Sequence, residues 1–120
     1  MNIEELREYC LSVKGAQESF PFDDTVLVFK IMDKMFAFTG LNAPEGRFVA
    51  GLKCDPDRSV LLREQYDGVG RSHYGNSLLW NGVEIESDVP DDLIRELIDH
   101  SVEEVLKKLP KKKQEAYYSG

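Results

Sequence analysis

Cysteine is scarce in this chain: Cys10 and Cys54 are the only two in 120 residues. Two thiols so far apart supply neither a disulfide framework nor a four-ligand zinc site, and both read as small buried hydrophobes of a reducing compartment. Histidine is equally rare, with His73 and His100 alone. Nucleophilic chemistry would need a thiol brought to one of them, and Cys10 falls on the apolar face of a helix. Asp99-His100 makes no base-and-orienter pair, because adjacent residues on a helix point apart. No apolar run approaches the roughly 18 residues of a membrane span, and the opening Met-Asn-Ile-Glu-Glu-Leu lacks the basic and apolar regions of a secretion signal. G-x-S-x-G, the phosphate-loop glycine-lysine pattern, C-x-x-C and H-E-x-x-H are all absent. These absences lead us to expect a cytoplasmic binding protein, not an enzyme, with no cofactor.

Acidic residues are plentiful but unevenly placed. The net charge is −7; residues 82–106 hold nine acidic groups against one basic, whereas residues 47–81 hold five basic against four acidic and residues 107–120 five against one. Such an average surface repels a polyanion, so any nucleic-acid contact has to use the middle or the tail. Glu84, Glu86, Asp88, Asp91 and Asp92 form the densest acidic run. Hard cations prefer oxygen ligands, but this run has no fixed ligand loop, and carboxylates in a first helical turn stabilise that end by themselves. No metal site is expected.

Asn2 and Glu5 form an Asx variant of the capping box, followed by Ile3, Leu6, Cys10 and Val13 on one helical face and a stop at Gly15. Phe20-Pro21-Phe22 is an aromatic connector. Val26–Ile31 and Met35–Thr39 read as a β-hairpin turning at Asp33-Lys34, and Arg47–Lys53 adds a third strand with Phe48, Ala50 and Leu52 on one face. Asp55 and Pro56 begin a helix to Tyr66 that points Val60, Leu61 and Tyr66 inward. Gly68–Ser77 has no period. Leu78–Glu86 is strand-like, and Asn81-Gly82 within it is either a type I′ hairpin turn or a bulge in one strand; the hairpin would leave strands of about three residues, so the bulge is preferred. From Pro90 to about Leu109 apolar residues recur at spacings of three and four, which predicts a long helix covering the sheet. Lys111-Lys112-Lys113 then opens a solvated tail.

Two stretches carry binding chemistry. In Leu-Lys-Cys-Asp-Pro-Asp-Arg (52–58), Lys53 and Arg58 flank a helix start whose free amides and dipole favour an anion. The glycine-rich segment brings Arg71, His73, Tyr74 and Asn76 ahead of Trp80-Asn81, a mixture of donors and aromatic faces suited to phosphates and planar rings. An anion site would form where the two meet, with His73, Tyr74 and Trp80 as its wall.

In their order, M-N-I-E-E-L-R-E-Y-C-L-S, E-S-F-P-F-D-D-T-V-L-V-F-K, K-M-F-A-F, L-K-C-D-P-D-R, W-N and L-I-R-E-L-I-D-H-S resemble the MmcQ/YjbR family of small bacterial proteins. The resemblance spans residues 1 to about 113 as one domain and leaves 114–120 as a short tail. It implies an α+β, CyaY-like fold, an antiparallel β-sheet flanked by N-terminal and C-terminal helices, and a double-wing DNA-binding role. The residues available for nucleic-acid or anion contact are Lys30, Arg47, Lys53, Arg58, Arg71, His73, Tyr74, Asn76, Trp80 and Asn81. DNA binding would be weak and salt-dependent, because the basic stretch the family often carries before its Trp-Asn pair is replaced here by N-S-L-L. The alternative is a domain for a small anionic ligand or a protein partner. The frataxin-type likeness also brings an iron-binding idea, for which Glu4, Glu5 and Glu8 are only a short acidic ridge.

Overall fold

The Asn2 side chain accepts the Glu5 N–H at 2.8 Å and Glu5 accepts the Asn2 N–H at 3.1 Å, so α1 (Ile3–Ser12) starts on the reciprocal cap its sequence announces. The chain is described by a computed structural model over residues 1–72 and 78–120. After α1 come β1 (Gln17–Ser19), β2 (Val26–Ile31), β3 (Lys34–Gly40), a short 3-10 turn (Pro44–Gly46) and β4 (Val49–Lys53). Then follow α2 (Pro56–Gln65), β5 (Val69–Arg71), β6 (Trp80–Glu84), α3 (Asp91–Lys107) and α4 (Lys111–Ser119). The strands form one antiparallel sheet of six in the order β1-β2-β3-β4-β6-β5. This is the α+β architecture that the resemblance implies. Among the described residues no helix is long and apolar enough to cross a membrane.

Helices α1 and α3 cover one face of the sheet. Leu6 and Cys10 from α1 and Ile94, Leu97, Ile98, Val102 and Val105 from α3 pack with Leu27, Phe29, Leu52 and Val83 in the main core. A bulge enlarges it: Phe29 stands opposite Ala37 and Lys30 opposite Met35, so Phe36 is the extra residue, and both Phe36 and Ala37 enter the core. The other face carries a smaller cluster of Val26, Val28, Phe38 and Trp80. With apolar side chains on both faces, β2 is buried from Val26 to Phe29, which is why its sequence does not alternate.

Several expectations are corrected by this geometry. The β2–β3 turn is centred on Met32 and Asp33, both left-handed at φ 48° and 62°, one residue earlier than Asp33-Lys34. Val60 and Leu61 of α2 are exposed, at 55% and 64%, while Ser59 and Leu62 face inward. β6 runs through Asn81-Gly82 as one strand with neither a hairpin turn nor a bulge, since Gly82 sits in unbroken register opposite Gly51 and Gly70. Residues 111–119 are largely exposed, as expected of a solvated tail, but they form a helix, α4. It folds back on the end of α1, where the Tyr117 hydroxyl donates to the Lys14 carbonyl at 2.8 Å.

Candidate ligand site

The Lys53–Arg58 junction is fastened to α3. The Lys53 N–H donates to Ser101 Oγ at 2.9 Å, the Asp55 N–H to His100 Nε2 at 3.1 Å, and the Arg58 guanidinium to Glu96 at 2.8 Å. Glu96 and His100 lie one helical turn apart and share a face of α3, while Ser101, the next residue, points inward to the sheet. Asp55 itself accepts the Arg58 N–H at 3.1 Å, capping α2 from within the chain. An imidazole whose Nε2 accepts carries its proton on Nδ1, which fixes the tautomer of His100 in this seam. The helix start that reads as an anion site is thus a structural joint. Lys53 is half-buried beside the α3 terminus, where burial first, and then the charge of Lys108, lowers its pKa.

Concavity lies on the sheet face opposite α1 and α3. A cavity of about 330 Å³ opens between the Asn42–Pro44 connection and the β5 edge. Its floor follows from register: Gly51, Gly82 and Gly70 stand in one row across β4, β6 and β5, all with their missing side chains toward this face. Phe38 heads the same row and lies over Gly51, where an added Cβ would fall 2.2 Å from the ring. Trp80 backs Phe38 with ring centroids 5.5 Å apart at 49°. Among the described residues nothing lies within 4 Å of the position of a Gly70 Cβ, so that end of the floor is open backbone.

Charge enters the trough from β4 and β6. Glu84 is half-buried opposite Val49, on the same face as the glycine row, and its N–H is held by the Gly68 carbonyl at 2.8 Å. Among the described residues Glu84 makes no ion pair. Arg47, two residues before β4, contacts Glu45 at 3.5 Å with both side chains largely exposed. The rim near Asp67 is pinned by Asp88, whose carboxylate accepts the Asp67 and Gly68 N–H groups, each at 2.8 Å. Those bonds, Gly68 first, hold the Asp88 carboxyl below its ordinary range.

The remaining candidates disperse. Lys30 is on β2, beyond the Phe38–Trp80 pair from the glycine floor. Arg71 lines the end of the trough, but pleating turns its side chain to the side of Val69 and Asn81, and its carbonyl is what stands beside Gly82. Asn81 is buried and links β6 to α2: its amide donates to Ser59 Oγ at 3.0 Å and accepts from Arg63 Nε at 2.9 Å. Trp80 packs behind the aromatic wall rather than forming it. His73, Tyr74 and Asn76 lie outside the described residues. In the acidic run, Glu84 faces the trough, Asp88 caps the rim and Asp92 pairs with Arg95 at 2.9 Å, so these carboxylates diverge. Burial pushes the Cys10 thiol up to about 12, and burial likewise raises Cys54.

Fold and site together define a small α+β domain with one helix-covered sheet face and one glycine-floored face. The family model described as YjbR matches residues 11–103, and the chain belongs to the YjbR family. It is 32% identical over 114 residues to the uncharacterized protein YjbR of Escherichia coli K12, covering 95% of each chain. It is 26% identical over 117 residues to the uncharacterized protein YbdF of Escherichia coli O157:H7, covering 98% of this chain and 94% of that one. Among solved structures, Deinococcus radiodurans protein DR2400, with its DUF419 domain, superposes with a TM-score of 0.87 at 30% identity, over 97% of this chain and 87% of that one. A Pseudomonas syringae protein shares the fold, with a TM-score of 0.72 at 22% identity over 84% and 96% of the two chains.

Proposed function

We propose that this protein is a binding domain, not an enzyme, and that its ligand is a small polar molecule seated in the trough between Phe38, Gly70 and Glu84. One observation carries the reading: three strands contribute glycines to a single in-register row under a cavity of about 330 Å³, and although Phe38 rests on Gly51 and Val49 leans over Gly82, the Gly70 end keeps open backbone among the described residues. That volume falls in the range of small-ligand sites, and the groups around it mix an aromatic ring with a few polar side chains.

The DNA-binding role implied by family resemblance has weaker support. Arg47 and Arg58 are paired with Glu45 and Glu96, Lys53 adjoins the α3 terminus, and Lys30 lies apart from the trough, so these cations form no continuous track for phosphates.

A thermal-shift screen of small metabolites tests the proposal. A ligand at about 100 times its Kd stabilises the folded state by about 2.7 kcal/mol. Gly70→Leu, which adds a side chain where the floor is open, should abolish that shift while the domain stays folded. If no compound stabilises the protein in a way that Gly70→Leu removes, the reading fails. Duplex and single-stranded DNA titrated at about 50 mM salt, where phosphate contacts are strongest, form the opposing arm. Binding there that Gly70→Leu leaves intact would favour the nucleic-acid role.

A further inference from the structure

We infer that the ligand of the trough carries a flat ring with adjacent N–H donors along one edge and an acidic substituent, the chemistry of a guanine nucleotide. The inference rests on the small-ligand reading and adds the class of ligand. Gly70 leaves open backbone among the described residues and the Val49 Cγ1 methyl lies over Gly82, 3.1 Å from where its Cβ would stand, so the floor is a strip of backbone beside an apolar methyl on which the face of a ring can lie. Phe38 gives that ring a fixed neighbour, because it rests directly on Gly51 and is backed by Trp80. Aromatic pairs of this kind favour offset or edge contacts with centroids about 4.5–7 Å apart.

Glu84 supplies the selectivity. Its carboxylate is acceptor-only when ionised, with two oxygens that match a pair of parallel N–H donors. It is half-buried and anchored through its own N–H to Gly68, and no cation among the described residues satisfies it. A guanine edge offers two adjacent donors to such a group. An adenine edge places a ring nitrogen acceptor beside its amino group and is repelled. Arg47, two residues before β4, lines the same cavity as Glu84. Its contact with the exposed Glu45 is weak enough for a ligand's phosphate or carboxylate to replace it.

Guanosine 5′-monophosphate is the probe, and adenosine 5′-monophosphate and guanosine the controls, in calorimetric titrations of the full chain. Saturable binding of guanosine monophosphate is expected, at least tenfold tighter than that of adenosine monophosphate. Glu84→Gln should erase the difference between the two bases. Arg47→Gln should weaken the nucleotide several-fold and leave guanosine unchanged. Circular dichroism confirms that each variant is folded. Binding of guanosine monophosphate that Glu84→Gln does not change, or equal binding of both bases by the wild-type chain, overturns the inference. If guanosine monophosphate fails to bind while another small molecule binds and is lost in Gly70→Leu, the ligand class is wrong and the small-ligand reading stands. If nothing binds, both fall.

Discussion

Gly51 and Gly70 occupy the same row of the sheet yet differ completely in what surrounds them. A Cβ at Gly51 would meet three ring carbons of Phe38 between 2.2 and 2.5 Å, and Phe38 cannot retreat without moving Trp80. Gly51→Ala should therefore destabilise the domain by about 1–3 kcal/mol, the usual cost of overpacking. Gly70 has nothing among the described residues within 4 Å of that position and no positive φ. Gly70→Ala should be neutral or stabilising by up to about 1 kcal/mol, since it restricts the unfolded chain. Urea denaturation of the two variants, side by side, checks the contrast. A pH effect belongs to Asp88. Its carboxyl is held below the ordinary value of 3.8 in the folded state, so its contribution is fully present above that value and is lost as pH falls through the folded pKa. Asp88→Asn should lower the melting temperature at neutral pH, and the gap to wild type should close below about pH 4, as a melting series across that range would show.

At the scale of elements, the α3 seam decides how β4 and α2 are held. Ser101 is fully buried; its hydroxyl accepts the Lys53 N–H and donates to the Phe36 carbonyl at 2.5 Å. Ser101→Ala should cost about 1–3 kcal/mol, because two buried backbone groups lose their partner while packing is nearly kept. Ser101→Cys, which retains a weak donor, should cost less in the same denaturation assay. Elements of this kind were legible in the sequence where the signal is local: the Asn2–Glu5 cap, the β2–β3 hairpin, the Asp55-Pro56 start and the apolar stripe of α3. β1 and β5 were not, because Gln17-Glu18-Ser19 and Val69-Gly70-Arg71 become strands only through pairing with β2 and β6. The phase of α2 was misread for a related reason. Three apolar residues in succession, Val60 to Leu62, leave its rotation open, and the hydrogen bond from Asn81 to Ser59 that fixes it comes from a distant strand. The trough escaped reading altogether, since glycines from three strands form a row only when register is known. Glu84 was visible only as one member of an acidic run.

For the molecule as a whole, α4 acts as a clasp. Tyr117 reaches the Lys14 carbonyl and the Lys14 ammonium lies 5.5 Å from the Tyr117 ring, tying the last helix to the end of the first. Removing residues 111–120 should leave a folded domain with the same far-UV spectrum in its remaining elements, less stable by about 1 kcal/mol, the worth of one such hydrogen bond. Tyr117→Phe should reproduce most of that loss. The order of strands has a wider consequence. β6 follows β5 in the chain but lies between β5 and β4, so β5 is hydrogen-bonded to the sheet along one side only. Peeling β5 away removes Gly70, the open end of the glycine floor, while leaving most of the helix-covered core assembled. The competent form of the trough is then a population set by a local opening equilibrium, not by global stability. Amide exchange at Val69–Arg71 should report that opening far faster than exchange in β3, and an occupant of the trough would slow the first without touching the second.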